Sequence, residues 1–508
     1  FCGSAWEYDE ERGQYYLHFY SRKQPDLNWE NETVRKEIYD LMKFWMDKGA
    51  DGWRMDVIAS ISKDQSFPDY PKTDDRKYYT GKYHSNGPRL HEFIHEMNRE
   101  VLSKYDCMTV GEAPGSTPEV ARLFTDPTRE ELNMIFTFEH MNIDRIPGSV
   151  NRKWALKPFD LRELKRVMTQ WQNKLYGKGW NALYFENHDQ PRVISRWGND
   201  TTYREECAKA YATVLHGMQG TPYVYQGEEL GMTNVPFTSI DQFRDLDSIN
   251  AYRELVEEQH VFTAEEMMRY LCRKSRDNAR TPFQWDDSAY AGFSAVEPWI
   301  MVNPNYKEIN AKKQVDDPES VFNYYRKLIA LRKEKEIIVY GTYDLLLPES
   351  EEIYMYTRTL GEEKLLVVCN FSEKEVAVEI PEEFRKGSYL IANYPDIPLQ
   401  KFDSYATAKE AFENGTSVAW ANDNTEVIAF ALQNEGYTVG IPSLGSADTI
   451  APAVSKGNTT LLDWINDEIV ALGEENFFHA DYEATLADTY GLDYEDSLVV
   501  EGGKVNAQ

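Results

Sequence analysis

Between residues 31 and 230 the chain repeats one unit, an amphipathic helix followed by a short apolar strand that ends in polar residues. This alternation constrains the fold strongly. Strands that run parallel need a long connection back to the same end, and a helix supplies it. The first helix is opened by Asn31 as N-cap with Glu32 behind it, carries Ile38, Leu41, Met42 and Trp45 on one face, and stops at Gly49. The second presents Leu90, Phe93, Ile94, Met97 and Val101; the third starts at Asp160 and presents Leu164, Val167, Met168, Trp171 and Leu175. The fourth carries Tyr211, Val214, Leu215 and Met218. The strands after them read GWRMD, CMTVGE, NALYFENHD and TPYVYQGEE, and LNMIFTFEH adds another between the second and third units.

The charged residues collect where each strand ends. In a (β/α)₈ barrel that end is the catalytic face, so several carboxylates converge on one pocket. An open doubly wound sheet also places ligands at strand ends, but no GxGxxG follows any of these strands.

Beyond a long loop region comes a helix from Ser320 to about Lys333. EIIVYGTYDLLL, EEIYMYTRTL and EKLLVVCNF then read as short antiparallel strands of a small β-domain. Near residue 400 the composition changes. No Arg occurs after Arg385, and from Asp403 onward three Lys face 19 Asp plus Glu. A different domain is expected there.

Three acidic residues close three separate strands: Asp56 in GWRMDV, Glu112 in TVGE and Asp189 in ENHD. Glycoside hydrolysis needs two carboxyl groups across one pocket, one a protonated acid and the other a nucleophile or base. A third anion nearby raises the acid's pKa by repulsion. Arg54 lies two residues before Asp56, so strand alternation points both to one side, where the guanidinium would keep Asp56 ionised. His188 is a hydroxyl donor beside Asp189. A single Asp at a strand end is more often a cap or a salt-bridge partner; R-x-D, G-E and N-H-D in this order are far more specific.

With QPDLN (Gln24–Asn28), DGWRMDVI, MTVGE, NHDQPR, GTPYVYQGEELGMTN, RDNARTPFQWD and EPWIMVNPNY in order, the segment from Phe1 to about Gln400 closely resembles the oligo-1,6-glucosidase and dextran-glucosidase branch of the α-amylase superfamily. The resemblance implies Asp56 as nucleophile, Glu112 as general acid/base and Asp189 as transition-state stabiliser. It places Arg54 and His188 in the glucose pocket, with Arg276 on the far hydroxyls of the non-reducing glucose. QPDLN and Val57 are the branch's marks of α-1,6 preference. A retaining enzyme holds the two catalytic carboxyls about 5–5.5 Å apart, which is the expected Asp56–Glu112 spacing.

Members of the branch begin with three further β/α units, so an incomplete (β/α)₈ TIM barrel is expected here. The branch's calcium loop and an Asp that pairs with Arg276 belong to those units, so no cofactor and no metal are expected in this chain. The tail, with DSYATAKEAFENG, Asn422–Asp423 and AVSKGNTTLLDWINDEI, is similar to the final part of solute-binding proteins of amino-acid ABC transporters. There Asp423 would meet a ligand's α-ammonium; as a surface or capping residue it needs no ligand.

The expected organisation is 1–28, the end of an insert after the third barrel strand; 29–333, the barrel; 334–401, a truncated β-domain whose closing strand is not found after Asn393–Pro398; and 402–508, an α/β solute-binding-type fragment. This reads as a chimera of two truncated reading frames, its barrel residues present but too poorly framed to turn over substrate. The opening FCGSAWEYDEERGQYYLHF, without Met, basic region or apolar run, reads as an interior segment. A formal net charge of −30 argues against nucleic acid as partner. No run approaches 18 apolar residues, so no membrane span is expected. Five scattered cysteines without a CxxC point to a reduced, cytoplasmic chain. The expected partner is a small α-glucoside.

Overall fold

Several helix starts in this chain are set by polar side chains that take up free backbone amides. The structure, a computed structural model, describes residues 4–69, 83–146, 153–381, 384, 399–400, 402, 404–441 and 458–503. Asn31 accepts from the Thr33 amide, Thr117 from Val120 and Asp160 from Arg162, each opening a helix. The chain divides into two compact units, Phe1–Ala377 and Val378–Gln508.

The first unit opens with an antiparallel hairpin, β1 (Trp6–Asp9) and β2 (Gln14–Leu17), in which Trp6 pairs with Leu17. There follow α1 (Glu32–Asp47), β3 (Gly52–Met55), α2 (Leu90–Glu100), β4 (Met108–Glu112), α3 (Pro118–Thr125) and β5 (Met134–Phe136). After α4 (Leu161–Leu175) come β6 (Ala182–Leu183), α5 (Val193–Trp197), α6 (Arg204–His216) and β7 (Thr221–Pro222). β3, β4 and β5 pair in parallel, a bridge from Ile135 to Asn181 leads on to β6, and β6 pairs in parallel with β7. Parallel strands in sequence order with helices between them form an arc of a (β/α) barrel, and the strand order has no reversal of the kind a doubly wound sheet requires.

The helix faces read from the sequence are buried in α2, α4 and α6, where Phe93, Ile94, Leu164 and Val214 lose all or nearly all exposure. In α1 the stripe differs. The helix buries Arg35, Tyr39, Met42 and Met46, while Leu41 and Trp45 stay half exposed. Arg35 can turn inward because Glu96 and the carbonyls of Trp29 and Glu30 satisfy its guanidinium. A pattern of apolar residues alone does not anticipate an arginine on the core side.

Next come α7 (Leu246–Tyr252), α8 (Ala264–Lys274), α9 (Ala311–Gln314), α10 (Val321–Glu334) and α11 (Glu336–Tyr340). An antiparallel sheet closes the unit, built of β8 (Thr342–Leu346), β9 (Ile353–Leu360) and β10 (Glu363–Asn370) with β9 central. EIIVY was expected as strand and is the helix α11. Ile337 and Ile338 are both buried, which a helical turn allows and strand alternation does not.

Two buried cations bind this sheet to barrel helices. Lys165 of α4 donates to the carbonyls of Leu347, Ser350 and Ile353 at 2.6, 2.7 and 3.2 Å. Arg358 of β9 donates to the carbonyls of Gly217, Gly341 and Thr342.

The described part of the second unit contains helices, including Tyr405–Glu413, Asn424–Gln433, Thr459–Glu474 and Phe477–Thr485, and no strand. The α/β character expected of 402–508 is therefore corrected to helix alone among the described residues. Here the helix capped by Ser404 and the helix Asn424–Gln433 bring Phe412, Trp420, Phe430 and Tyr437 together, and Asn458 caps the helix Thr459–Glu474. The expectation about Asn393–Pro398 falls outside the described residues. Among those residues no helix is long and apolar enough to cross a membrane, and no His/Cys/Asp/Glu group could hold a metal ion.

Replacing Lys165 with Met should cost about 2 kcal/mol or more, since three carbonyls lose a charged donor in a dry site. Urea unfolding of the full chain would check it; a midpoint equal to wild type would show that Lys165 does not fasten the sheet.

Candidate active site

The register of β3 against β4 builds the first half of the site. Arg54 lies opposite Val110, so Asp56 and Glu112, each two residues further on, emerge side by side. The Arg54 guanidinium spans both carboxylates, with Nη1 2.6 Å from Asp56 Oδ1 and Nη2 3.0 Å from Glu112 Oε2. The two carboxyls also come within hydrogen-bonding reach of each other. One guanidinium thus bridges both groups.

Their environments differ sharply. Glu112 is 7% exposed, whereas the Asp56 side chain is 74% exposed. Burial, helped by the hydrogen bond with Asp56 and opposed by Arg54, pushes the Glu112 carboxyl up to about 7. Partial burial works against ionisation of Asp56, but hydrogen bonds from Glu112 and Arg54 outweigh it and hold Asp56 below the usual carboxylate range. Near neutral pH the pair therefore keeps one proton on Glu112 and a charge on Asp56.

Val57 takes a left-handed backbone, φ 43° and ψ 43°. For a β-branched residue this is a strained conformation of the kind found at functional sites. It aims the Val57 amide at Glu112 Oε2, 3.3 Å away. The chain beyond is pinned by a 2.5 Å ion pair between Lys63 and Asp26, the acidic residue of QPDLN. That motif thus braces the loop after β3.

The second half comes from the end of β6. His188 Nε2 lies 3.4 Å from Asp189 Oδ2. Asp189 Oδ1 accepts from Arg276 at 3.1 Å and from Arg280 at 2.7 Å. Arg276 also reaches Asp245 Oδ1 at 2.8 Å. The Asp that the resemblance assigns to Arg276 was expected to be lacking; two carboxylates of this chain hold the guanidinium instead. Sequence reading missed Arg280 and Asp245, although the repeated arginine in RDNAR was a signal for the first. Arg54, Glu112 and His188 line one cavity of about 710 Å³, together with Tyr184, Tyr223 and Tyr225. Asp189 lies on a separate small cavity beside Arg276.

Asp423 lies elsewhere, in the second unit. It is exposed at the start of the Asn424–Gln433 helix, and its Oδ2 accepts from the Tyr405 hydroxyl at 2.9 Å.

Residues 1–341 match the family model described as alpha amylase, catalytic domain, and residues 343–391 match maltogenic amylase, C-terminal domain. An oligo-1,6-glucosidase of Heyndrickxia coagulans is 60% identical over 396 residues, which are 78% of this chain and 71% of that protein. A trehalose-6-phosphate hydrolase of Bacillus subtilis (strain 168) is 50% identical over 398 residues, 77% of this chain and 69% of that one. A crystal structure of trehalose-6-phosphate hydrolase from Bacillus licheniformis superposes with a TM-score of 0.70 at 51% identity, covering 75% of this chain and 67% of that one.

Carbon-13 titration of labelled Asp and Glu carboxyls should show Glu112 protonating near pH 7 and Asp56 below the ordinary range. In an Arg54→Met variant the Asp56 midpoint should rise, because a cation that stabilises its charged form is gone. An unmoved Asp56 midpoint would mean that Arg54 does not set the proton's place.

Proposed function

The chain belongs to the α-amylase family, and on that premise we propose that it is a retaining α-glucosidase acting on α-1,6 bonds at the non-reducing end of isomalto-oligosaccharides. The observation that carries this reading is the Arg54 guanidinium shared between an exposed Asp56 and a buried Glu112, an arrangement that favours charge on the first and a proton on the second. A retaining mechanism needs one carboxylate and one carboxylic acid on the same bond at the same moment.

In the first step Asp56 attacks the anomeric carbon while Glu112 gives its proton to the glycosidic oxygen, and the aglycone leaves. A glucosyl ester on Asp56 remains. Glu112, now a carboxylate, takes a proton from water, and the water oxygen displaces Asp56 to release glucose with its configuration retained. Asp189 takes hydroxyls of the glucose that tighten their hydrogen bonds as positive charge develops on the ring. Arg54, His188 and Arg276 orient the same sugar. Since Glu112 must start protonated, turnover falls as the pH rises through about 7.

Val57 sets linkage preference by crowding the departure side of the aglycone. A small pocket change shifts such preferences by roughly 1–3 kcal/mol. Val57→Ala should move the isomaltose-to-maltose kcat/KM ratio towards maltose, and an unchanged ratio would leave Val57 without a part in specificity.

The free thiols of Cys107, Cys207, Cys272 and Cys369 suit a reducing compartment, and the cytoplasm is the proposed location. The segment 402–508 keeps its reading as a fragment of solute-binding type; no observation favours a ligand at Asp423.

One observation favours a second reading, that of a chain with the catalytic residues but little or no turnover. Asp56 is largely open to water, where electrostatic stabilisation of a transition state is weakest. Hydrolysis of p-nitrophenyl-α-glucoside and isomaltose by the 508-residue protein, beside Asp56→Ala, separates the two. Turnover lost in the variant supports the glucosidase; no turnover above the variant supports the second reading.

A further inference from the structure

Glu186 sits three residues before Asp189 and is 2% exposed. Both its oxygens are engaged, Oε2 by Arg192 Nη1 at 2.9 Å and Oε1 by the Val193 amide at 2.8 Å. Arg192 is 1% exposed, and its Nη1 also donates to the Gln226 carbonyl at 2.8 Å, in the segment after β7. That segment passes so close that a Cβ on Gly227, at φ +90°, would lie 2.4 Å from Met232 Sδ and 3.1 Å from Arg192 Nη2.

The Arg192 backbone extends the link. Its amide donates to Asn234 Oδ1 at 2.9 Å, and Asn234 Nδ2 donates to the carbonyls of Cys272 and Arg273 at 3.1 Å each. Those residues form the last turn of α8, directly ahead of Arg276 and Arg280. The turn bearing Asp189 is closed by two further bonds: the Asp189 amide reaches Asn187 Oδ1 at 2.8 Å, and the Gln190 amide reaches the Asn187 carbonyl at 3.2 Å. Arg280 Nε holds the His188 carbonyl at 2.9 Å.

We infer that Glu186 and Arg192 are positioning residues, a buried ion pair that fixes the Asn187–Asp189 turn and, through Asn234, the two arginines that grip Asp189. Glu186 reaches the wall of the cavity that holds Arg54, Glu112 and His188, but both its oxygens are taken within the protein, and Arg192 does not line that cavity. Their effect on turnover rests on the proposed glucosidase reading; their effect on the turn does not. A buried pair costs desolvation and is weak evidence of a role in stability, whereas loss of one partner strands a charge. Held this way, Asp189 keeps its place to within the ~1 Å that can cost about 10²-fold in rate.

The test is the double variant Glu186→Gln/Arg192→Met in the full chain, which removes both charges at nearly constant volume. Its thermal midpoint should stay near wild type. Hydrogen exchange of the peptide spanning Tyr184–Gln190 should be at least about tenfold faster, while peptides from α4 and α6 keep their protection. With isomaltose, kcat should fall about 10²-fold and KM change by less than about threefold. Glu186→Gln alone strands the Arg192 charge, so it should move exchange in the same direction by at least as much; Arg192→Lys, which keeps both charges but not the fork, should move it by less and keeps the test open if the double variant does not fold. Exchange at wild-type rates in a folded variant would overturn the inference. That readout decides even if the chain proves to have no glucosidase turnover.

Discussion

Two carboxyl groups within hydrogen-bonding reach cannot both stay ionised at little cost, and Arg54, in contact with both, helps decide which of them keeps its charge. Its two nitrogens serve unequal partners. Asp56 faces water and keeps its charge readily; Glu112 is enclosed and holds its proton up to about 7. The asymmetry needs no special residue type, because the same guanidinium meets one exposed and one buried acid. It depends instead on the parallel register of β3 and β4, which brings Asp56 and Glu112 level.

The second cluster is organised differently. Asp189 is gripped by Arg276 and Arg280, and Arg276 is anchored in turn by the buried Asp245. The segment after β6 and two segments far along the chain, around Asp245 and Arg276, thus meet through guanidinium groups, whose planar forks fix direction as well as distance. Arg35 and Arg358 use the same chemistry on backbone carbonyls in the frame. Buried arginines thus bind this unit's layers alongside apolar contact.

Much of this was legible in the sequence because helix and strand periods differ. The faces of α2, α4 and α6 follow from 3.6-residue spacing, and the convergence of Arg54, Glu112 and His188 on one cavity follows from their place at strand ends; Asp56, though beside Glu112, does not line it. What escaped has physical reasons. The inward turn of Arg35 depends on Glu96, 61 residues away, which no local pattern contains. Helix α11 depends on a site able to bury two successive isoleucines. The close approach of Asp56 to Glu112 depends on the reach of a side chain, and the grip of Asp245 on Arg276 on a loop path that spacing does not encode. Period and order were visible; tertiary partners were not.

A β-branched residue held left-handed makes position 57 a place where selection for heat resistance and selection for chemistry pull apart. Glycine or asparagine would relax the backbone by about 1–2 kcal/mol. Either would keep the backbone amide on Glu112 but remove the branched side chain proposed to set linkage preference. A search that rewards only thermal survival would drift towards the relaxed residue and erode linkage preference without touching any carboxylate. The residue found at this position in variants selected by heat alone, beside that in variants selected on isomaltose, would record which pressure each lineage answered.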